Sequence, residues 1–498
     1  MLFNSLQFLI FLPVVTLIYF VLPKKIRYLW LLVSSYYFYM CWNAKYALLL
    51  LFSTVVTYLS GLGIQRIGNA GWEEKKTVFW KKACVFGSVF INLAVLAFFK
   101  YFNFGMESLN KLFGLMHIEL NAPTFDIVLP VGISFFIFQA LSYTMDVYRG
   151  DIYAEKNFFR YALFVSFFPQ LVAGPIERSR NLLKQLAVPK AFSFENFQKG
   201  ILVMLWGFFL KLVLADRLAI FVNTVYNNSD QYPGFFLILA TCMFAFQIYC
   251  DFYGYSTIAK GTAKILGIDL MENFESPYLS TSVAGFWRNW HISLTSWFKD
   301  YLYIPLGGSR KGTLRKHLNR IFVFLVSGLW HGANWTFVIW GFLNGLYQVL
   351  GDILKPLRDK TVTLLNINRN SIAHRILQMG ITFFFVTFAW IFFRANSVSH
   401  AFSIISSILH NQNVWIFFDK SMFQCGLSPS NFNVLLVSLG ILLFADICKA
   451  RKISVSDVII RQDAWARWIV IAVSVCAILV YGIWGSGYDA ASFIYFQF

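Results

Sequence analysis

The chain has 498 residues, of which 58% are apolar and 13% charged, with a mean hydropathy of +0.60. A soluble domain carries about 25% charged residues, so this composition excludes the ordinary water-soluble classes and points to a polytopic membrane protein. The net charge of +18 does not mark a nucleic-acid binder: Lys and Arg fall in short clusters between apolar stretches, the positive-inside pattern rather than a phosphate-binding face.

The opening MLFNSLQFLIFLPVVTLIYFVLPKK has neither a basic leading segment nor a small-residue cleavage site. It reads as a first span with its N-terminus outside, not as a removable signal. Apolar stretches follow at 28–42, 44–62, 84–102, 127–147, 158–174, 200–222, 234–265, 321–350, 375–394, 430–448 and 467–484. They alternate with basic loops at 24–27, 75–82, 177–190, 310–320, 355–375 and 449–467. The pattern predicts an all-α integral membrane protein with about 10–12 transmembrane helices. No repeat or Pro/Gly/Ser-rich linker divides the chain, so 1–498 reads as one domain. The seven cysteines include no CxxC and no Cys/His cluster at metal spacing, and no metal is expected.

Two stretches do not read as simple spans. Residues 173–189, AGPIERSRNLLKQLAVP, begin with Gly174-Pro175, which breaks a helix. Residues 282–309 are amphipathic: at helical spacing Phe286, Trp287, Trp290, Leu294, Trp297, Phe298 and Tyr301 form an aromatic side, opposed by Arg288, Asn289, Lys299 and Asp300. Such a segment lies along or dips into the interface. Irregular backbone at membrane depth is tolerated only around a protein-lined or water-filled space, so the two segments predict re-entrant elements around a central pore.

The stretch Ile321–Leu350 contains no Asp, Glu, Lys or Arg and one imidazole, His331. A basic cluster (Arg310, Lys311, Arg315, Lys316, Arg320) marks its cytosolic edge. Eleven residues of helix from Arg320 span roughly 16 Å, about half a hydrocarbon core, so His331 is placed near the midplane of one continuous helix. An ionisable group at that depth usually has a task. The bland alternative is a histidine bonded to a carbonyl between packed helices. Gly328 with Gly332, and Gly341 with Gly345, let neighbouring helices approach. Asn334, one turn on, could orient the imidazole or hold a carbonyl oxygen, while Trp330, Trp335 and Trp340 supply bulky walls. His291, beside Trp290 and one turn from Arg288 and Thr295, sits toward the cytosolic side. There Arg288, Lys299, Arg310, Lys311 and Arg315 could steer an anionic donor, or could simply form a snorkelling interfacial face.

The tail 485–498, GSGYDAASFIYFQF, carries no Lys or Arg and follows a basic loop and a span, so the C-terminus is expected outside. GxSxG, DxD, GxGxxG, Walker-type and HxxxxD motifs are absent, which argues against serine hydrolases, nucleotide-sugar transferases, NTP-driven pumps and soluble-type acyltransferases. Two classes remain: an enzyme centred on His331, and a transporter or export subunit using His331 as a proton relay or gate. Asp146, Asp216, Asp251 and Asp446 read as span-edge residues, leaving no midplane acid, which favours the enzyme.

Five segments occur in one order: LPKKIRYLWLLVSSYYFY (22–39), AGPIER (173–178), DFYGYSTIAKG (251–261), FWRNWHISLTSWFKDYLYIPLGG (286–308) and LWHGANWTFVIWG (329–341). Together they resemble the membrane-bound O-acyltransferases, and most of all the bacterial branch that modifies alginate, peptidoglycan and teichoic acid. The resemblance implies acyl transfer, typically of acetyl, from a cytosolic thioester such as acetyl-CoA to a hydroxyl across the bacterial inner membrane. It makes His331 the catalytic histidine and His291 a supporting one; beside them Trp287, Arg288, Trp330 and Asn334 are read from their positions as donor- or substrate-side residues. Arg178, Asp251 and Tyr253 are implied to lie nearby without a chemical role. It also implies a periplasmic SGNH-type transferase or esterase as partner, with a polysaccharide or peptidoglycan acceptor. The final FIYFQF resembles an aromatic tail motif whose tyrosine, Tyr495 here, is proposed to carry the acyl group outward; an interfacial aromatic anchor would look the same.

Overall fold

A computed structural model describes residues 1–118, 125–126, 128–172 and 174–484, and among these every regular element is helical. The helices cluster into two compact units, residues 1–204 with 259–271, and residues 205–258 with 272–498.

The first unit contains α1 (Leu6–Val21), α2 (Arg27–Met40), α3 (Ala44–Gly68), α4 (Glu74–Leu96), α5 (Phe102–Leu115), α6 (Ile133–Arg149), α7 (Phe158–Ser166), α8 (Phe168–Leu171), α9 (Ser179–Ala187) and most of α10 (Phe194–Phe208). Every residue from Ile133 to Thr144 is buried, Ser134, Gln139, Ser142 and Thr144 included, so α6 is enclosed on all sides within its unit. The rings of Phe8, Phe11, Phe38 and Phe168 interlock at centroid distances of 5.2–6.5 Å. Buried polar groups find partners, as burial without them is costly. Tyr161 donates to Thr57 Oγ1 at 2.7 Å, and Ser179 Oγ donates to Asp146 Oδ2 at 2.5 Å. The expected break at Gly174-Pro175 is present: 175–178 are non-helical between α8 and α9. There the fully buried Glu177 accepts from the Met271 amide (2.5 Å) and Asn181 Nδ2 (2.8 Å).

The second unit holds α11 (Asp216–Asn227), much of α12 (Phe235–Ile265), the pair α13 (Val283–Asn289) and α14 (Ile292–Phe298), α15 (Thr313–His331), α16 (Trp335–Ile353), α17 (Lys355–Leu364), α18 (Ile372–Arg394), α19 (Val398–His410), α20 (Pro429–Ala450), α21 (Val455–Ile460) and α22 (Ala464–Tyr481). α22 buries only Ile471 and Ile478, and its exposed apolar side chains suit lipid rather than water.

Among the described residues six helices are long and apolar enough to cross a bilayer, or seven if the bent pair α16–α17 is one span. The count falls below the 10–12 read from hydropathy because several apolar stretches fold as short or interrupted helices. Residues 158–174 divide between α7 and α8, and 200–222 run through α10, a π-helical turn at Phe209–Ala215 and α11. The protein is a multi-pass, all-helical membrane protein.

Two expectations need correction here. Ile321–Leu350 is not one helix: α15 ends at His331, and α16 starts at Trp335. The two fold back on each other, because Arg320 on α15 and Asp352 on α16 meet at 2.6 Å. Glycines permit it; a Cβ on Gly341 would lie 3.3 Å from the Gly328 Cα and 3.1 Å from the Phe324 carbonyl carbon. Nor is Asp251 a span-edge residue. It lies midway along the 31-residue α12, buried, 2.8 Å from Lys211 Nζ, which bridges equally to Asp216.

Candidate functional site

His331 is the last residue of α15, where the helix stops because Gly332 turns to extended backbone (φ −159°, ψ 149°). Asn334 then opens α16, its Oδ1 accepting from the Thr336 amide at 3.0 Å. That cap serves one of the orphan N–H groups at a helix start. The imidazole is thus carried on a helix end and is 5% exposed. Around it stand Trp330, Trp340 and Phe393, at centroid distances of 4.9, 5.1 and 5.4 Å.

His291 also sits at a break. The predicted amphipathic helix over 282–309 is two short helices, α13 and α14, with a π-helical turn at Lys299–Tyr303. His291 caps α14 with φ 45°, ψ 54°, a left-handed conformation that a residue with a Cβ adopts only when its surroundings enforce it. Asn273 does so. Its carbonyl accepts from the Ile292 amide (2.9 Å), and its Oδ1 accepts from Ser293 Oγ (2.6 Å) and the Ser293 amide (3.3 Å). Its Nδ2 donates to Ser256 Oγ on α12 at 3.1 Å. Ser293 Oγ in turn lies 3.5 Å from His291 Nδ1.

The two histidines, 40 residues apart in sequence, meet the same indole. Trp330 lies 5.9 Å from the His291 ring and 4.9 Å from that of His331. His291 is 1% exposed, with Phe252 packed edge-on at 4.6 Å. Two imidazoles in one largely dry aromatic enclosure can move a proton without competing water, the setting in which fixed polar groups act most strongly.

The other residues singled out from sequence divide by location. Trp287 is a wall, packed edge-to-face against Trp340 at 5.5 Å and donating its Nε1 to Asn344 Oδ1 at 3.0 Å. Asn334 does not reach toward the imidazole; besides capping α16 it donates to the Asn396 carbonyl at 3.3 Å. Trp335, expected as a wall, is exposed. Arg288, Lys299, Arg310, Lys311 and Arg315 are all exposed, whereas Lys316 and Arg320 pair with Asp352, each at 2.6 Å. Tyr253 accepts from Lys449 Nζ at 3.0 Å. Arg178 is buried and belongs to the first unit. Tyr495 lies outside the described residues. Sequence reasoning missed Asn273, Asn344 and Phe393, which reach the site from distant segments with no local motif. Among the described residues no group of three or more His, Cys, Asp or Glu side chains is placed to hold a metal.

The family model for the membrane-bound O-acyltransferases matches residues 151–396, which include both histidines. A protein named probable alginate O-acetylase AlgI from Azotobacter vinelandii is 38% identical over 410 residues, 82% of this chain and 78% of that one. The peptidoglycan O-acetyltransferase of Helicobacter pylori is 34% identical over 443 residues, covering 82% and 80%. More distant is the teichoic acid D-alanyltransferase of Bacillus subtilis, 26% identical over 57% of this chain and 74% of its own length. The chain therefore belongs to the membrane-bound O-acyltransferase family and is an acyltransferase, an enzyme and not a transporter.

Proposed function

We propose that the protein transfers an acetyl group from a cytosolic thioester, acetyl-CoA by preference, to a hydroxyl destined for an exported glycan, with His331 as the general base. The observation that carries this reading is the convergence of His331 and His291 on Trp330. In the proposed step His331 takes the proton of the attacking hydroxyl while its oxygen bonds to the acyl carbon. The resulting oxyanion collapses, the C–S bond breaks, and the thiolate leaves with the proton carried by the imidazolium. No metal enters this step. A base placed in this way contributes about 10²–10⁴-fold. His291, held across the shared indole, is assigned to positioning the donor or stabilising developing charge. The exposed Arg288, Lys299, Arg310, Lys311 and Arg315 raise the local concentration of an anionic donor.

The names of the relatives supply the acceptor class: an alginate-like polysaccharide or peptidoglycan. Tyr495 is the proposed first acceptor on the extracytoplasmic side, presenting the acyl ester to a periplasmic SGNH-type transferase. The inner membrane, with both termini outside, is the location this scheme requires. Purified protein assayed for acetyl-CoA turnover should lose it in His331→Ala. If wild type and His331→Ala turn over alike, the reading fails. Acetylation of the glycan in cells carrying Tyr495→Phe isolates the relay: product at wild-type levels would remove Tyr495 from the scheme and leave the His331 chemistry standing.

A further inference from the structure

The first unit contains a cavity of about 300 Å³ where the turn between α1 and α2 meets the end of α9. Its lining includes Lys24, Lys25, Arg27 and Arg160, with the phenols of Tyr19 and Tyr28, and no Asp or Glu. Glu155 neutralises Arg160 at 3.4 Å. Arg27 is buried and structural: it donates to the carbonyls of Leu22 (2.9 Å), Phe20 (2.8 Å) and Lys190 (2.6 Å), locking the wall of the cavity. Its charge is met by carbonyl dipoles and not by a carboxylate. Lys24 and Lys25 are exposed at the rim. α2, 14 residues long, begins at this wall behind Ile26, whose side chain has no atom that can cap it, so its positive end adds to the field. None of these groups belongs to the histidine site.

From this arrangement we infer a binding site for a phosphate group, with the headgroup of an anionic phospholipid as the favoured source. Position and size both favour it. The basic turn ends an apolar helix, so the positive-inside rule puts it at the cytosolic headgroup level. The volume is at the small end for ligand sites, suited to a headgroup more than a whole nucleotide. A soluble phosphate, such as that of a nucleotide thioester, offers the same chemistry.

Dioleoyl phosphatidylglycerol, dioleoyl phosphatidylcholine and adenosine 3′,5′-bisphosphate titrated separately into detergent-purified protein, with native mass spectrometry as readout, test the site. The variant is Lys24→Gln/Lys25→Gln. The control is Lys75→Gln/Lys76→Gln, which removes the same charge from the exposed first turn of α4. At the usual contribution of a basic residue to an anionic headgroup, losing both cavity lysines weakens phosphatidylglycerol binding about 30-fold. The control and phosphatidylcholine binding stay unchanged. If only bisphosphate binding falls in the cavity variant, the phosphate site stands and its source is soluble. Equal losses in both double variants would reduce the effect to general surface charge and overturn the site, as would no loss for either anionic probe. All four lysines are exposed, and an unchanged melting midpoint without ligand confirms that each variant folds.

Discussion

Replacing Asn273 with Ala tests whether the left-handed turn at His291 is imposed by its surroundings. Asn273 supplies two side-chain acceptor contacts, to Ser293 Oγ at 2.6 Å and the Ser293 amide at 3.3 Å, and one donor contact, to Ser256 Oγ at 3.1 Å. All three residues are buried. At about 1 kcal/mol net for each hydrogen bond, truncation costs about 3 kcal/mol, and more where the Ser293 amide is left without its side-chain acceptor. A loss of that size lowers the melting midpoint by about 3–5 °C for a chain of this length. The backbone bond from Ile292 to the Asn273 carbonyl survives the substitution, so the unit still assembles. Holding His291 at φ 45° is worth roughly 1–2 kcal/mol; with the clasp gone the turn relaxes and the imidazole leaves the Trp330 face. The expected kinetic result is a fall of about tenfold in kcat, measured at a temperature where the variant is fully folded. Ser293→Ala and the double variant complete a cycle whose coupling is about 1 kcal/mol, because the two side chains share one bond. Additive effects, or an Asn273→Ala protein that melts and turns over like wild type, would refute the clasp.

Three other outcomes follow from buried charge and close packing. Lys211→Met strips the cation shared by Asp216 and Asp251, whose side chains are 6% and 3% exposed, and should destabilise by about 3–5 kcal/mol, read as lost accumulation in membranes. Adding Asp216→Asn and Asp251→Asn should restore much of that loss; no recovery would mean that Lys211 acts other than as a counter-ion. Gly341→Val should prevent α15 and α16 from closing, since the new side chain meets the backbone of Phe324 and Gly328, whereas Gly351→Ala, with nothing within 4 Å, should be tolerated in the same expression assay. Asn334→Ala, which removes the α16 cap, should cost about 1 kcal/mol of stability. A loss of turnover far beyond that loss of folded protein would give Asn334 a part in the chemistry as well.

The class of the molecule was legible from residue types alone, and His331 stood out as a candidate, because membrane burial, basic loops and an ionisable group in an apolar run are local properties of a sequence; His291 was singled out mainly through the family resemblance. Backbone breaks were harder. Ile321–Leu350 reads as one span because Gly332, Ala333 and Asn334 interrupt neither the hydropathy nor the small-residue pattern. The stop signals were nevertheless present: Gly332 at the end of one helix and Asn334 as the cap of the next. Asp352, the one acid near the far end of the run, also matched Arg320 across a hairpin. Contacts such as Asn273 with Ser293 and Trp287 with Asn344 left no trace of this kind. They join segments 20 and 57 residues apart through single side chains, and periodicity reports only on neighbours along one helix.

The break in that run bears on the chemistry. A histidine in the middle of a continuous helix would have every neighbouring backbone group engaged, and its ring would point sideways against another helix. Here both histidines stand at helix breaks, His331 closing α15 and His291 opening α14. Non-helical backbone inside a membrane protein is stable only when protein or enclosed water satisfies its polar groups. The Asn334 cap and the Asn273 clasp do so here, and the glycine-faced hairpin holds the α15 end in place. A helix end also presents its imidazole from a tip, approachable from more directions than a flank allows. That geometry suits a reaction in which a donor and an acceptor must reach one nitrogen from different sides. Restoring a continuous helix through 332–334, for instance with Gly332→Ala and Asn334→Leu together, should therefore abolish turnover even in the fraction of protein that still folds, and a folded double variant with undiminished turnover would show that the break is incidental.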